Sequence, residues 1–201
     1  MALRCVLWDF GDTLVDERWM RIAPAGFPDW SAVWVDVITP EFALAWDTGE
    51  IGVADVVGRV AERLQMPFDE AMAHAEWCCS QIRFFAKPME IARNSRLPQG
   101  IVTVNPDLFN MWVMPEYDLE QLFRPIITSW EHGSIDKGIL CTAAINALDE
   151  PVLPNETLLI DNKQQNLDAW TAKGGLGYLF TTEEQFERDL QGDLSELARS
   201  V

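Results

Sequence analysis

A chain of 201 residues with 48% hydrophobic side chains is long enough to bury a sizeable core and too apolar to stay disordered. Its net charge of −17 excludes the basic surfaces that nucleic acid and anionic membranes demand. It leaves open an anionic small molecule, whose charge a metal ion and one or two Lys or Arg can meet locally.

The four cysteines are Cys5, Cys78, Cys79 and Cys141, two of them adjacent and one in an apolar run. They make no disulfide framework and fit reduced thiols in a cytoplasmic protein. The first apolar run is short, interrupted by Arg4 and stopped by Asp9, so no secretory leader is expected. No stretch approaches the roughly 20 apolar residues of a membrane span. The nine tryptophans read as packing. His74 and Cys78 stand at helical spacing and read as a helix face rather than a metal pair.

In chain order, Leu3 to Trp8 reads as a buried strand that delivers Asp9 to a tight loop. Residues 17–28, punctuated by Pro24, Gly26 and Pro28, read as a connector. Trp30, Val33, Trp34, Val37 and Ile38 recur at helical spacing. Further helices are expected from Glu41 to Trp46, Ile51 to Leu64 and Asp69 to Phe85. The segment from about 17 to 85 therefore reads as helical, without a strand. After it come a helix at Lys87 to Arg96, a β-branched strand at Ile101 to Val104 and a short helix at Leu108 to Val113. A strand at Pro125 to Ser129 and an alanine-rich helix at Asp136 to Leu148 follow. A strand at Thr157 to Asp161, a helix at Leu167 to Lys173, a strand at Leu176 to Phe180 and two acidic helices complete the chain. Strands alternating with helices imply an α/β fold with a doubly wound, mostly parallel Rossmann-like sheet. Two of its strands end in Asp and one ends near Thr103, where open α/β sheets bind their ligands.

The stretch Asp9-Phe10-Gly11-Asp12-Thr13-Leu14 resembles the first motif of the haloacid dehalogenase-like (HAD) hydrolases, Asp-x-Asp-Gly-Thr-Leu, with Gly11 in place of the second Asp. Thr103 resembles the Ser or Thr of the second motif, although Val104 stands before Asn105. Lys137 resembles the Lys of the third, and Asp161-Asn162 with Asn166 resembles the fourth. The resemblance implies a core domain of residues 1–16 and 86–201, with a helical cap domain of residues 17–85 that shields a reactive aspartyl intermediate from water.

The resemblance also implies roles for single residues. Asp9 would be the nucleophile. Thr103, Asn105 and Lys137 would bind the phosphoryl group, with Thr103 and Lys137 also catalytic. Asp9, the Gly11 carbonyl and Asp161 would hold Mg²⁺, which favours a few carboxylates with waters and phosphate oxygens. In the family's phosphatases the Asp missing at Gly11 protonates the leaving alcohol and then activates water. Asp12 reads as a turn residue, since Asp tolerates positive φ.

The expected activity is a Mg²⁺-dependent phosphatase of small, anionic phosphomonoesters. A binding protein without turnover is the alternative, motivated by Gly11, Val104 and Asn162. A 2-haloacid dehalogenase is the third reading, and Asp161 argues against it, since the family's dehalogenases need no metal. For the cap, Arg18, Arg21, Arg59, Arg63 and Arg83 are candidate contacts to an anion. Trp19, Trp30, Trp34 and Trp46 are candidates for an apolar or ring-bearing substrate.

Overall fold

A computed structural model describes residues 2–192 and 194–200. Its centre is a five-stranded parallel sheet built from β1 (Cys5–Trp8), β4 (Gln99–Thr103), β5 (Ile126–Thr128), β6 (Thr157–Asp161) and β7 (Leu176–Leu179), in the order β5-β4-β1-β6-β7. The order reverses at β1, so the crevice at its carboxyl end is the expected ligand site. Both faces of the sheet are covered, which is why β1 is a continuous apolar run rather than an alternating one. Val6 and Trp8 point into one core, with Ile101, Leu158, Ile160 and Phe186. Cys5 and Leu7 point into the other, with Leu140, Cys141, Leu167 and Trp170 of α8 (Lys137–Asn146) and α9 (Gln164–Thr171).

The segment after β1 departs from the sequence expectation in two places. Val15–Asp16 form a two-residue strand, β2, and Glu17–Arg21 form a 3-10 helix in which Asp16 accepts the Arg18 N–H at 3.0 Å. The helix expected to run to Phe85 stops at Cys79, and Arg83–Phe84 form β3, antiparallel to β2. A two-residue strand exists only through its partner and leaves no periodicity to read. Between these strands lie α1 (Trp30–Val37), α2 (Pro40–Asp47), α3 (Val53–Leu64) and α4 (Phe68–Cys79), close to their expected positions. Thr39 caps α2, accepting the Phe42 N–H at 3.3 Å, and Pro40 takes the first turn where no N–H is needed.

Further along, α5 (Ala86–Asn94) leads into β4. The expected short helix after β4 is a π-helical turn at Phe109–Val113 continued by α6 (Met114–Glu116), where Pro115 offers no N–H. The remaining helices are α7 (Ser129–His132), α10 (Glu183–Asp189) and α11 (Ser195–Arg199). Among the described residues no helix is long and apolar enough to cross a membrane.

The helical insertion shares one apolar core with the sheet: Trp30, Trp34, Val56 and Val60 join the cluster of Val6, Trp8 and Ile101. A buried polar tie fixes it as well. Asp107, in the loop after β4, accepts Trp46 Nε1–H at 2.7 Å and the Val53 N–H at 2.9 Å. That carboxylate lies at the amino end of α3, where the helix dipole favours it. Gly49 brings the insertion against α7; a Cβ there would stand 2.8 Å from the Trp130 carbonyl. Replacing Asp107 by Ala strands two buried donors and is expected to cost about 2–4 kcal/mol in denaturant unfolding. Unchanged stability would show that the tie contributes nothing.

Candidate active site

Register places the chemistry. Trp8 pairs with Ile101 on one side and Ile160 on the other, so Asp9 comes level with Val102 and Asp161 at the carboxyl edge. The Asp9 N–H donates to the Ile160 carbonyl at 2.9 Å, which extends the ladder up to the carboxylate. Lys137, the first residue of α8, is 1% exposed and ties three strand ends together. Its Nζ lies 2.6 Å from Asp9 Oδ1, 3.0 Å from Asp161 Oδ2 and 2.5 Å from the Val102 carbonyl oxygen. A cation at a helix amino terminus opposes the dipole. Here Asp136 caps the helix, accepting the Gly138 N–H at 2.7 Å, and two carboxylates face the ammonium. Burial favours the neutral amine, but Asp9 and Asp161 outweigh it and hold Lys137 above its ordinary pKa. Burial pushes Asp9 up, Lys137 opposes, and the charge of Asp161 adds to the rise.

Thr103 closes β4 and is buried. Its Oγ1 accepts Asn105 Nδ2–H at 2.7 Å, so the hydroxyl keeps its own proton for a further acceptor. The five predicted side chains Asp9, Thr103, Asn105, Lys137 and Asp161 thus gather at one end of the sheet. Gly11 lies in the adjoining loop with its carbonyl intact. Asp12 sits at φ 50°, the left-handed turn position expected for it.

Asp161 is held from several sides: Asn166 Nδ2 donates to both of its oxygens, and the Lys163 N–H donates to Oδ1 at 2.8 Å. Asp9 Oδ2 makes no hydrogen bond among the described residues. Asn162 Oδ1 is a buried oxygen without a partner. These are oxygen donors only, which fits a hard divalent cation and not a thiolate- or imidazole-seeking one. Among the described residues no group of three His, Cys, Asp or Glu completes a metal cage, so such an ion would keep waters or substrate oxygens in its shell.

No protein-family model and no curated protein matches this sequence. Solved structures do. A HAD-family enzyme from Bacteroides thetaiotaomicron matches with a TM-score of 0.71 at 16% identity, over 94% of this chain and 98% of that one. The same enzyme in complex with magnesium and inorganic phosphate matches with a TM-score of 0.69 at 16% identity, over 93% and 98%. The L-2-haloacid dehalogenase from Xanthobacter autotrophicus matches with 0.64 at 14% identity, over 94% and 83%. The chain has the HAD-like hydrolase fold. Its insertion, α1–α4, follows β1 and β2 as a helical cap does in that fold.

Beside the HAD-like strand ends opens a cavity of about 300 Å³, lined among others by Glu17, Trp34, Trp46, Asp47, Asn105 and Lys163. Glu17, Asp47 and Lys163 had no motif to mark them in the sequence. Glu17 opens to solvent, yet the protein packed around its carboxyl and the charges of Asp9 and Asp12 push it up to about 7. Burial likewise pushes Asp47, the last residue of α2, up to about 6 against the pull of Lys163. The folded state therefore holds the Asp47 proton longer than the unfolded chain, and stability falls as pH rises from 3.8 to about 6. Asp47→Asn should leave stability unchanged at pH 4 and raise it by about 1–3 kcal/mol at pH 7. A gain equal at both pH values would refute that origin.

Other sequence candidates have structural roles. His74 sits between Trp30 and Trp77 with Nε2 2.7 Å from the Ile22 carbonyl oxygen, and Cys78 Sγ lies 3.5 Å from it. Arg18 pairs with Asp16, Arg63 pairs with Asp36, and Arg59 stacks over Phe42 at 3.8 Å. Trp30 is fully buried, whereas Trp19, Trp34 and Trp46 reach the cavity. All four thiols are buried, and burial holds their pKa values well above the ordinary range.

Proposed function

We propose that this chain hydrolyses small phosphomonoesters through an aspartyl-phosphate intermediate on Asp9, with residues 1–16 and 86–201 as the core domain and 17–85 as the cap. The observation that carries the reading is the buried ammonium of Lys137 wedged between two carboxylates level on neighbouring strands. A structural ion pair needs one carboxylate per ammonium. Two carboxylates around one ammonium leave a negative charge at the crevice, which suits a nucleophile beside a cation site.

In this reading a carboxylate oxygen of Asp9 attacks phosphorus in line with the ester oxygen. Lys137 neutralises charge on the phosphoryl oxygens and opposes the rise that burial gives the Asp9 carboxyl. Thr103 donates its free hydroxyl proton to one of those oxygens, while Asn105 holds Thr103 in that orientation. Asp9, the Gly11 carbonyl and Asp161 would hold Mg²⁺, with Asn162 Oδ1 at hand for one of its waters. Mg²⁺ when bound would offset the charge of the phosphate dianion. Trp34 and Trp46 give the cavity an apolar wall, and Lys163 gives it a cation. Both suit a small organic phosphate.

The test is a panel of phosphomonoesters with and without Mg²⁺, p-nitrophenyl phosphate included. Metal-dependent turnover is expected. Halide release from 2-haloacids without metal would move the chain to the dehalogenases. No turnover of either kind by folded protein would leave a binding function.

A further inference from the structure

The phosphatase reading, on which this inference rests, lacks one part. When the phosphorus–oxygen bond of an alkyl ester breaks, the departing oxygen needs a proton, and Gly11 has no side chain to give one. The charged groups at the strand ends and in the loop after β1 are engaged. Lys137 is shared by Asp9, Asp161 and the Val102 carbonyl. Asp161 is held by Lys137, Asn166 and the Lys163 N–H. Asp12 points along the loop and accepts the Glu17 N–H at 3.2 Å.

Glu17 differs from all of these. Among the described residues its carboxyl makes no hydrogen bond and no ion pair. Yet it lies against the loop that carries the nucleophile: a Cβ added at Gly11 would fall on the Glu17 carboxyl. The same carboxyl lines the cavity with Asn105 and Lys163. The backbone that carries it is held, because Asp12 accepts the Glu17 N–H and Asp16 caps the 3-10 helix that Glu17 begins. A side chain at position 11 would need that carboxyl to move, so glycine at 11 leaves the room that glutamate at 17 fills.

We propose that Glu17 is the catalytic acid and base of this site, filling from the far end of the loop the space where a side chain at position 11 would stand. In the first step an Asp9 oxygen bonds to phosphorus and the bond from phosphorus to the ester oxygen breaks. That oxygen takes the proton of the Glu17 carboxyl, so the alcohol departs neutral and Glu17 is left a carboxylate. In the second step a water oxygen bonds to phosphorus while its proton passes to Glu17. The bond from phosphorus to Asp9 breaks, releasing inorganic phosphate and restoring both the Asp9 carboxylate and the Glu17 acid.

Leaving-group dependence tests the proposal. In Glu17→Gln, kcat/KM for an alkyl phosphomonoester such as glycerol phosphate should fall about 10²–10⁴-fold. With p-nitrophenyl phosphate, whose leaving group barely needs an acid, the fall should stay within about tenfold. Equal losses on both esters would overturn the proposal, since a merely structural role does not sense the leaving group. A second pair of variants guards against misfolding. Gly11→Asp alone puts a second carboxyl into the space that the Glu17 carboxyl fills. Combined with Glu17→Ala, it should recover alkyl-ester turnover at least about tenfold over Glu17→Ala alone, and no recovery would count against Glu17. If the wild-type protein turns over esters and Glu17→Gln keeps both activities, the proposal falls by itself. If the wild-type protein turns over no ester, both readings fall.

Discussion

Asp9→Asn should abolish turnover and leave the protein at least as stable as before. Loss of a covalent nucleophile costs on the order of 10⁴-fold or more in kcat. Stability should move the other way. Asp9 and Asp161 compete for one buried ammonium, and burial already pushes the Asp9 carboxyl up. An amide at position 9 still offers an oxygen to Lys137 and leaves a one-to-one pair with Asp161. Denaturant unfolding beside the kinetic assay should show a change between zero and about +2 kcal/mol. A clear loss of stability would mean that Asp9 is held for the fold, and the ion cluster would lose its claim to be catalytic.

Lys137→Met should be the most damaging single change in the molecule. It leaves two buried carboxylates facing each other, and breaking a buried ion pair from one side costs about 3–5 kcal/mol. In a chain of this length that lowers the melting temperature by about 10 °C. Asp161→Asn should cost less by itself and should restore part of the loss when combined with Lys137→Met. A double-mutant cycle should return a coupling above about 1 kcal/mol. Additive effects would place the cost of Lys137→Met in lost packing of its methylenes, not in charge.

What the sequence revealed and what it hid divide along physical lines. Asp9 and Asp161 were legible because a strand buried on both faces is an apolar run, and a carboxylate that ends such a run stands at the sheet edge. Lys137 was legible through its resemblance to the third motif, and its unfavourable place at a helix start agreed with a need for a partner. Thr103 and Asn105 were legible through their resemblance to the second motif, despite Val104 between them. The pairing of Val15–Asp16 with Arg83–Phe84 was not, because it joins residues almost 70 positions apart and each strand has only two. Glu17 looked like one more acid in a connector, and only the fold brings its carboxyl over Gly11. The tie from Asp107 was hidden too, because its partners, Trp46 and Val53, lie in another part of the chain.

The pairing of β2 with β3 has an evolutionary consequence. The chain leaves for α1–α4 and comes back at two adjacent points, stapled together as a neck. The outer loops between can be lengthened without rerouting the strand that carries Asp9, whereas the inner helix faces stay tied to the sheet through the shared core and Asp107. Selection on those outer loops would leave β1 and Asp9 in place. Glu17 is the exception. It lies one residue past the neck, so under the acid–base proposal an exchange of the whole insertion would remove the proton donor.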